Sequence, residues 1–234
     1  MNLSRYSDNS EEDRLFYALT PHYEALQQTV ALALQEHFSN GEAQVLELGC
    51  GTGITAQHIL VTNQKLFLRA IDNEKEMIEQ AHERLAKYEE EGRLKIELAD
   101  MYEYLKTQSD DSFDAVVSAL ALHNCDAGYR KKTYAEIMRV LRKKGIFVNA
   151  DKYASDDENE HKQSLNWQLA QFDYFEKNGR PDLKQKWTEH YIQDEALDLL
   201  LRENNYVRDL TAIGFNNIQK IFRERMEAVY IAEK

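Results

Sequence analysis

The fold is decided by the segment Val45–Gly53, which reads VLELGCGTG. Its first half belongs to a predicted buried strand, Gln44–Leu48, and a glycine-rich loop follows directly. Glycines let the backbone come close to a ligand, and the helix predicted after the loop offers N–H groups to a carboxylate or phosphate. The segment therefore predicts a strand, a ligand-binding turn and a helix in succession.

On the C-terminal side of this loop, short apolar runs alternate with patterns of helical period. Connections this short require parallel β-α-β units, with helices on both faces of the sheet. The last two runs flank Arg223-Glu224-Arg225, a predicted tight turn, and so form an antiparallel hairpin at the sheet edge. The predicted fold class is α/β, a doubly wound and mostly parallel seven-stranded sheet. The strands predicted after the loop are Leu66–Ile71, Arg93–Leu98, Phe113–Ser118, Gly145–Asn149, Asn217–Arg223 and Met226–Ala232.

The flanking regions are predicted to be helical. Apolar residues spaced three or four apart over Arg14–Phe38 predict an N-terminal helical cap in residues 1–40, with a break or kink at Pro21. Residues 41–234 are predicted to form the main domain, with a helical insertion at about 155–205. The helices predicted in this insertion are Leu165–Phe175 and Tyr191–Asn204.

Composition disfavours several function classes. Lys and Arg number 29 against 41 Asp and Glu, and the net charge of −12 would repel the phosphate backbone of a nucleic acid. The two cysteines, Cys50 and Cys125, have no disulfide-framework or metal-cluster spacing, so no metal is expected. The N-terminus lacks a signal-peptide pattern, and no apolar stretch is long enough for a membrane span. We therefore expect a cytoplasmic protein that does not act on bare nucleic acid.

Asp72 lies 19 residues after Gly53, at the end of the second predicted strand. A carboxylate at this place can accept hydrogen bonds from ribose hydroxyls. The dinucleotide pattern G-x-G-x-x-G requires a third glycine where Ile54 stands, which disfavours an NAD-dependent oxidoreductase. A ligand with a ribose and an α-amino-acid end but no pyrophosphate fits better. S-adenosyl-L-methionine is such a ligand.

With these features, VLELGCGTG resembles the first motif of the class I S-adenosylmethionine-dependent methyltransferases. Ala70–Ala81 (AIDNEKEMIEQA) is similar to the second motif, Glu97–Tyr104 (ELADMYEY) to the third and Phe113–Cys125 (FDAVVSALALHNC) to the fourth. Val140–Tyr153 matches the segment in which the helix before strand five turns through a glycine. The resemblance is strong over Gly41–Asp151. It implies a Rossmann-like methyltransferase that transfers a methyl group from S-adenosyl-L-methionine to a small molecule by in-line displacement, leaving S-adenosyl-L-homocysteine.

The same resemblance implies cofactor contacts at the ends of the first four strands. The residues are Glu47, Gly49 and Gly51 for the amino-acid end, Asp72 and Asn73 for the ribose, Asp100 and Met101 for the adenine, and Ser118 and Ala119 for the methionine tail. Asp72 is equally explained as a helix N-cap, and the two roles are compatible.

His123 follows the fourth predicted strand, at the rim where a methyl acceptor would approach. A histidine can take a proton from a hydroxyl or an amine near neutral pH, so His123 is the candidate catalytic base. The alternative is a histidine held by Asn124 or Asp126 for the structure of the loop. His22 and His190 are second-line candidates. An aromatic-lined pocket would suit a small or planar acceptor, and the candidate contacts are Tyr17, Tyr23, Trp167 and Tyr191.

Two alternatives remain open. The C-terminal half resembles carboxy-S-adenosylmethionine synthase, which makes a modified cofactor, through Lys152, Asn178-Gly179 and Gly214-Phe215. That enzyme typically has Ser-Leu where this chain has Gly51-Thr52, and the arginine expected six residues before Phe215 is Asp209. The other alternative is a non-catalytic S-adenosylmethionine-binding partner or regulator, because no residue is unmistakably catalytic.

Overall fold

The computed structural model describes Leu19, residues 22–39 and residues 41–234. Within them, seven strands form one sheet: β1 Ala43–Leu48, β2 Leu66–Asp72, β3 Leu94–Leu98, β4 Phe113–Ala119, β5 Leu141–Lys152, β6 Asn216–Glu224 and β7 Glu227–Glu233. Their order is β3-β2-β1-β4-β5-β7-β6. Strands β1 to β5 pair in parallel, whereas β7 is antiparallel to both β5 and β6. The predicted α/β fold class, with its closing hairpin, is confirmed.

Helices cover both faces of this sheet. Their bounds are α1 Tyr23–His37, α2 Ile54–Thr62, α3 Lys75–Glu90, α4 Met101–Thr107, α5 Ala127–Val140, α6 Glu158–Gln171, α7 Asp173–Lys177, α8 Pro181–Gln193 and α9 Glu203–Ile213. Apolar side chains of α1, α2 and α3 pack on one face of the sheet, and those of α4, α5 and α9 pack on the other. No helix of the described residues is long and apolar enough to cross a membrane.

The register of the strands gathers the site at one edge of the sheet. Leu48, the last residue of β1, pairs with Ile71 of β2 and with Ser118 of β4. The loops that follow these three parallel strands therefore leave the same edge side by side. In an open α/β sheet, this carboxyl edge is where ligands bind.

Helices α6 to α8 have a small apolar core of their own. Phe172, Phe175, Leu183, Trp187 and Tyr191 pack together there with Leu19. The helix predicted over Leu165–Phe175 instead begins at Glu158, because the Asp157 carboxylate caps it by accepting the N–H groups of Asn159 and Glu160. It ends at Gln171, and the short α7 follows.

The helix predicted over Tyr191–Asn204 is wrong. Helix α8 begins at Pro181 and ends at Gln193, and the chain then runs through turns to the start of α9 at Glu203. The apolar residues of this stretch do not share a buried helix face, because Ile192 is 56% exposed and Leu197 is 94% exposed. Tertiary hydrogen bonds hold the turns instead, because the Arg130 guanidinium donates to the carbonyl oxygen of Leu199.

Part of the predicted N-terminal cap lies outside the described residues, including the predicted break at Pro21. The part that is described contains α1, which packs against α2 and buries Leu26, Val30 and Leu34 in the main core.

Candidate functional site

A cavity of about 460 Å³ opens at the carboxyl edge of the sheet. One part of its wall comes from the loop after β1 and from the ends of β2, β3 and β4. The other part comes from Tyr23 of α1, from Trp187, His190 and Tyr191 of α8, and from the end of β5. The cavity thus lies between the sheet and the helical insertion, where the sequence places the predicted site.

The glycine loop forms the floor at one end of this cavity. Gly49 and Gly51 have φ angles of +72° and +52°, in the left-handed region that other residues rarely adopt. A Cβ atom at Gly49 would lie 2.4 Å from the Cβ atom of Ala121, so this glycine lets two loops approach. A Cβ atom at Gly51 would meet no described atom within 4 Å. Gly51 therefore leaves room for a ligand to approach the backbone.

Asp72 links the end of β2 to this loop. Its Oδ2 atom accepts the N–H of Gly51 at 2.8 Å, and its Oδ1 atom accepts the N–H of Glu74 at 2.9 Å. Burial raises the pKa of Asp72, although the backbone N–H groups oppose this change. Asp72 and Asn73 both line the cavity. The carboxylate is thus oriented by backbone groups and presented to the cavity, as a ribose-binding acid requires.

Asp100 lies at the end of the cavity predicted to hold the adenine. It caps α4 by accepting the N–H of Glu103, and the Tyr129 hydroxyl lies 2.8 Å from both of its carboxyl oxygens. Burial raises the pKa of Tyr129. Met101 and Ala119 line the cavity beside these residues. Sequence reasoning missed Tyr129, because it comes from α5 and meets Asp100 only in the folded chain.

Two predicted cofactor-binding residues lie behind the cavity wall. Glu47 and Ser118 are completely buried, and neither lines the cavity. The carboxyl oxygens of Glu47 have no hydrogen-bond partner among the described residues. Burial, assisted by the nearby charge of Asp72, raises the pKa of Glu47 to about 8. The structure therefore does not bring Glu47 or Ser118 into direct contact with the cavity.

His123 lies at the other end of the cavity, paired with Asp151. Its ring Nδ1 atom is 2.6 Å from Oδ1 of Asp151, and its backbone N–H donates to Oδ2. Asp151 is completely buried, and the backbone N–H of Lys152 also donates to Oδ1. A carboxylate at Nδ1 selects the tautomer that carries its proton there, which leaves the Nε2 lone pair to accept a proton.

Neither residue predicted to hold His123 as an alternative does so. The Asn124 amide lies within hydrogen-bonding distance of the carbonyl oxygens of Leu120 and Ala121. Asp126 caps α5 by accepting the N–H of Tyr129. The histidine is instead oriented by Asp151 of β5, 28 residues later in the chain.

Other polar residues surround His123. The rings of His123 and His190 have centroids 6.4 Å apart, and Nε2 of His190 is 3.4 Å from Oδ2 of Asp194. The ammonium group of Lys152 donates to the same Oδ2 atom and lies 4.1 Å from the centre of the Tyr191 ring. Sequence reasoning missed Asp151 and Asp194 altogether. Both are acids with no motif spacing, so only the fold identifies them.

The predicted acceptor-binding aromatic residues divide into three groups. Tyr23 and Tyr191 line the cavity, together with Trp187. Trp167 does not line it, because its ring packs on the Arg225 guanidinium at 4.9 Å. Tyr17 lies outside the described residues.

Known proteins match this chain in sequence and in fold. The family described as "Methyltransferase domain" matches residues 45–145. A demethylmenaquinone methyltransferase of Leptospira interrogans is 33% identical over 118 residues, which are 50% of this chain and 46% of that protein, so this chain spans less than half of that relative. A carboxy-S-adenosyl-L-methionine synthase of Campylobacter fetus is 25% identical over 217 residues, or 92% of this chain and 86% of that protein.

A solved structure of similar fold contains a bound cofactor product. It is 1,6-didemethyltoxoflavin-N1-methyltransferase of Burkholderia thailandensis, with 1,6-didemethyltoxoflavin and S-adenosylhomocysteine bound. The TM-score is 0.61 at 17% identity, over 91% of this chain and 79% of that one. With the glycine loop and Asp72 at one edge of a seven-stranded sheet, residues 45–145 match the methyltransferase-domain family, and the chain shares its fold with a solved methyltransferase.

Proposed function

We propose that this chain transfers a methyl group from S-adenosyl-L-methionine to a small-molecule acceptor. The observation that carries the proposal is one cavity with two chemically different ends. The glycine loop and Asp72 form one end, and His123, Lys152 and His190 form the other. When bound, the cofactor supplies a methyl group that is already activated as part of a sulfonium. The protein therefore has to position the acceptor, keep water out and handle one proton.

The first end suits the cofactor. Gly51 leaves space for close approach to the backbone, and Asp72 presents a carboxylate that can accept hydrogen bonds from the two ribose hydroxyls. Asp100 and Met101 are assigned to the adenine, with Tyr129 as a further polar group beside them.

In the proposed organisation, residues 1–40 form an N-terminal cap. Residues 41–234 form the methyltransferase domain, and the insertion at about 155–205 covers the acceptor.

The second end suits an acceptor with a proton on its reacting oxygen or nitrogen. His123 is the proposed base, because Asp151 orients its ring and Nε2 remains to take that proton. Asp151 acts through His123 and is a positioning residue. The aromatic side chains of Tyr23, Trp187 and Tyr191 supply apolar surface against which a planar acceptor can pack.

A second candidate function is the synthesis of carboxy-S-adenosyl-L-methionine. The similarity to the Campylobacter fetus enzyme extends over 92% of this chain, whereas the similarity to the methyltransferase relative extends over only 50% of it. Two departures count against this function, namely Gly51-Thr52 in the loop and Asp209 at the position of the expected arginine. A purely regulatory cofactor-binding role is disfavoured because the cavity extends well beyond the glycine loop.

Cofactor binding is tested by thermal unfolding with S-adenosylhomocysteine and, separately, with NAD⁺. A ligand at one hundred times its dissociation constant stabilises the folded state by about 2.7 kcal/mol, which raises the midpoint by roughly 5–11 °C for a chain of this size. We expect this rise with S-adenosylhomocysteine only. A rise with NAD⁺ alone would contradict the assignment.

Methyl transfer is tested by incubating the protein with S-adenosyl-L-methionine and a panel of small phenols, hydroxyquinones and amines. Mass spectrometry then follows both the acceptors and the cofactor. Formation of S-adenosylhomocysteine together with an acceptor heavier by one CH₂ supports the proposal. In a parallel incubation with S-adenosyl-L-methionine and carboxylic acids that can lose CO₂, a cofactor that becomes heavier by one CO₂ would support the second candidate function instead.

A further inference from the structure

His123, His190 and Asp194 form a buried cluster at the acceptor end of the cavity. Their side-chain ligand atoms all lie within 4.8 Å of one another, and each residue is at most 9% exposed. A tetrahedral metal ion with bonds of about 2.1 Å needs ligand atoms roughly 3.4 Å apart. The His190 Nε2 and Asp194 Oδ2 atoms are already separated by 3.4 Å. An adjustment of about 1 Å in the position of the His123 ring would complete three corners of a tetrahedron.

A second observation concerns the group behind His123. Histidines that bind metals commonly donate their other ring N–H to a carboxylate, which fixes the tautomer and makes the ligating nitrogen more basic. Asp151 provides this arrangement, with its Oδ1 atom 2.6 Å from Nδ1 of His123. Since Asp151 is completely buried and also accepts two backbone N–H groups, its position is defined by the fold.

The charge of this region also favours a cation. The buried groups around His123 include two carboxylates, Asp151 and Asp194, and one ammonium group, that of Lys152, which contacts Asp194. The Lys152 ammonium sits on Oδ2 of Asp194, the same atom that faces His190. Because the lysine side chain is long and flexible, its ammonium group can move away from Asp194 when a metal ion binds.

We propose that His123, His190 and Asp194 bind a divalent transition-metal ion in exchange for the Lys152 ammonium group. Two imidazoles and one carboxylate suit Zn²⁺ and its first-row neighbours, and three protein ligands leave a fourth position open toward the cavity. This inference goes beyond the proposed function and revises the expectation, based on cysteine spacing, that the chain binds no metal. The metal and an acceptor proton would compete for the same Nε2 lone pair of His123, so the metal-bound chain lacks the proposed base.

The test is isothermal titration calorimetry of the full chain with Zn²⁺. Metals are first removed from the protein by chelation. No cofactor or acceptor is present, so the result does not depend on the proposed function, which the S-adenosylhomocysteine experiment tests separately. We expect one Zn²⁺ per chain. Co²⁺ added in its place should give the visible absorption bands of tetrahedral coordination.

Variants identify the ligands. His190→Gln and Asp194→Asn should each weaken Zn²⁺ binding about tenfold or more. Lys152→Leu should tighten it, because the competing ammonium is gone; a merely structural salt bridge would not produce this result. His82→Gln, at a half-exposed histidine of α3, is the matched control and should leave binding unchanged.

Zn²⁺ binding that is absent in both the native chain and Lys152→Leu would overturn the proposal. So would binding that survives both ligand substitutions in variants whose circular dichroism is native. If Asp194→Asn does not fold, the comparison of His190→Gln with Lys152→Leu decides the question, since the two changes are expected to act in opposite directions.

Discussion

The Asp72 carboxylate accepts the N–H of Gly51 at 2.8 Å and thereby joins the end of β2 to the loop after β1. Its second oxygen accepts the N–H of Glu74, at the start of α3. The acid and the glycine that are assigned to the cofactor therefore position each other before any ligand binds. This arrangement makes the loop and the carboxylate one preorganised unit.

Replacing the Asp72 carboxylate should weaken cofactor binding without unfolding the protein. In Asp72→Ala we expect affinity for S-adenosylhomocysteine to fall at least a hundredfold, because hydrogen bonds from a ribose to a charged acceptor contribute about 1.5–3 kcal/mol each. Asp72→Asn should lose less, since its amide oxygen can still accept one of them. Isothermal titration calorimetry measures both, with the exposed Glu79→Ala as the control. Equal affinity in Asp72→Ala and the native chain would remove Asp72 from the site.

Two glycines of the loop should respond differently to the same substitution. Gly49→Ala places a Cβ atom 2.4 Å from that of Ala121, so we expect a loss of stability of at least about 2 kcal/mol. The Cβ atom added in Gly51→Ala meets no described atom within 4 Å. The loss of stability should therefore be limited to backbone strain of about 1–2 kcal/mol. The added methyl group should instead obstruct the cofactor.

Urea unfolding and S-adenosylhomocysteine binding of the two glycine variants distinguish these effects. The assignment of Gly51 to the cofactor fails if Gly51→Ala binds as tightly as the native chain.

Glu47 should make the stability of the cofactor-free protein depend on pH. Its pKa is about 8 in the folded chain, against 4.5 for an ordinary glutamate. Between these values the folded state keeps a proton that the unfolded chain has released, so stability falls as pH rises. The full penalty, on the order of 5 kcal/mol, is reached above pH 8.

The test is urea unfolding of the native chain and of Glu47→Gln between pH 4.5 and 9. The variant carries no charge at this position. As the pH rises from 4.5 to 9, the free energy of unfolding of the native chain should therefore fall steadily relative to that of Glu47→Gln. Parallel pH profiles for the two proteins would show that Glu47 does not carry this penalty.

The His123–Asp151 pair should affect turnover without affecting the cofactor. Once an acceptor is identified, His123→Asn and Asp151→Asn should each lower kcat about 10²–10⁴-fold, because a base that is missing or wrongly oriented no longer removes the acceptor proton. The dissociation constant of S-adenosylhomocysteine should stay within about twofold of the native value. An unchanged kcat in both variants would point to an acceptor that needs no base.

Arg130 should stabilise the turns between α8 and α9. Its buried guanidinium donates to the carbonyl oxygens of Cys125 and Leu199, and so links the loop after β4 to the insertion. In Arg130→Met these half-buried carbonyl oxygens lose charged donors, and we expect the free energy of unfolding to fall by about 2–4 kcal/mol. Limited proteolysis should then cleave near Leu197, which is already 94% exposed. Cleavage at the native rate would show that the turns are held by other contacts.

The sequence by itself determined the α/β sheet and indicated the proposed cofactor end of the site. Both depend on local patterns, since β1, the glycine loop and α2 are consecutive in the chain. Asp72 ends the next strand, so parallel pairing alone brings it beside Gly51. Local signals could not define the insertion, where the apolar spacing of Tyr191–Asn204 predicts a helix but tertiary hydrogen bonds to Arg130 stabilise turns.

Only the tertiary structure brought together the residues of the proposed acceptor end. His123 was identifiable as a histidine after β4, but its partner Asp151 comes from β5 and its neighbours His190 and Asp194 come from α8 and the residue after it. No spacing in the chain links these residues, because their meeting depends on how the insertion folds back over the sheet. Burial then gives them properties that composition cannot show: the acids lie away from water, close to histidines and to a lysine that compensates their charge.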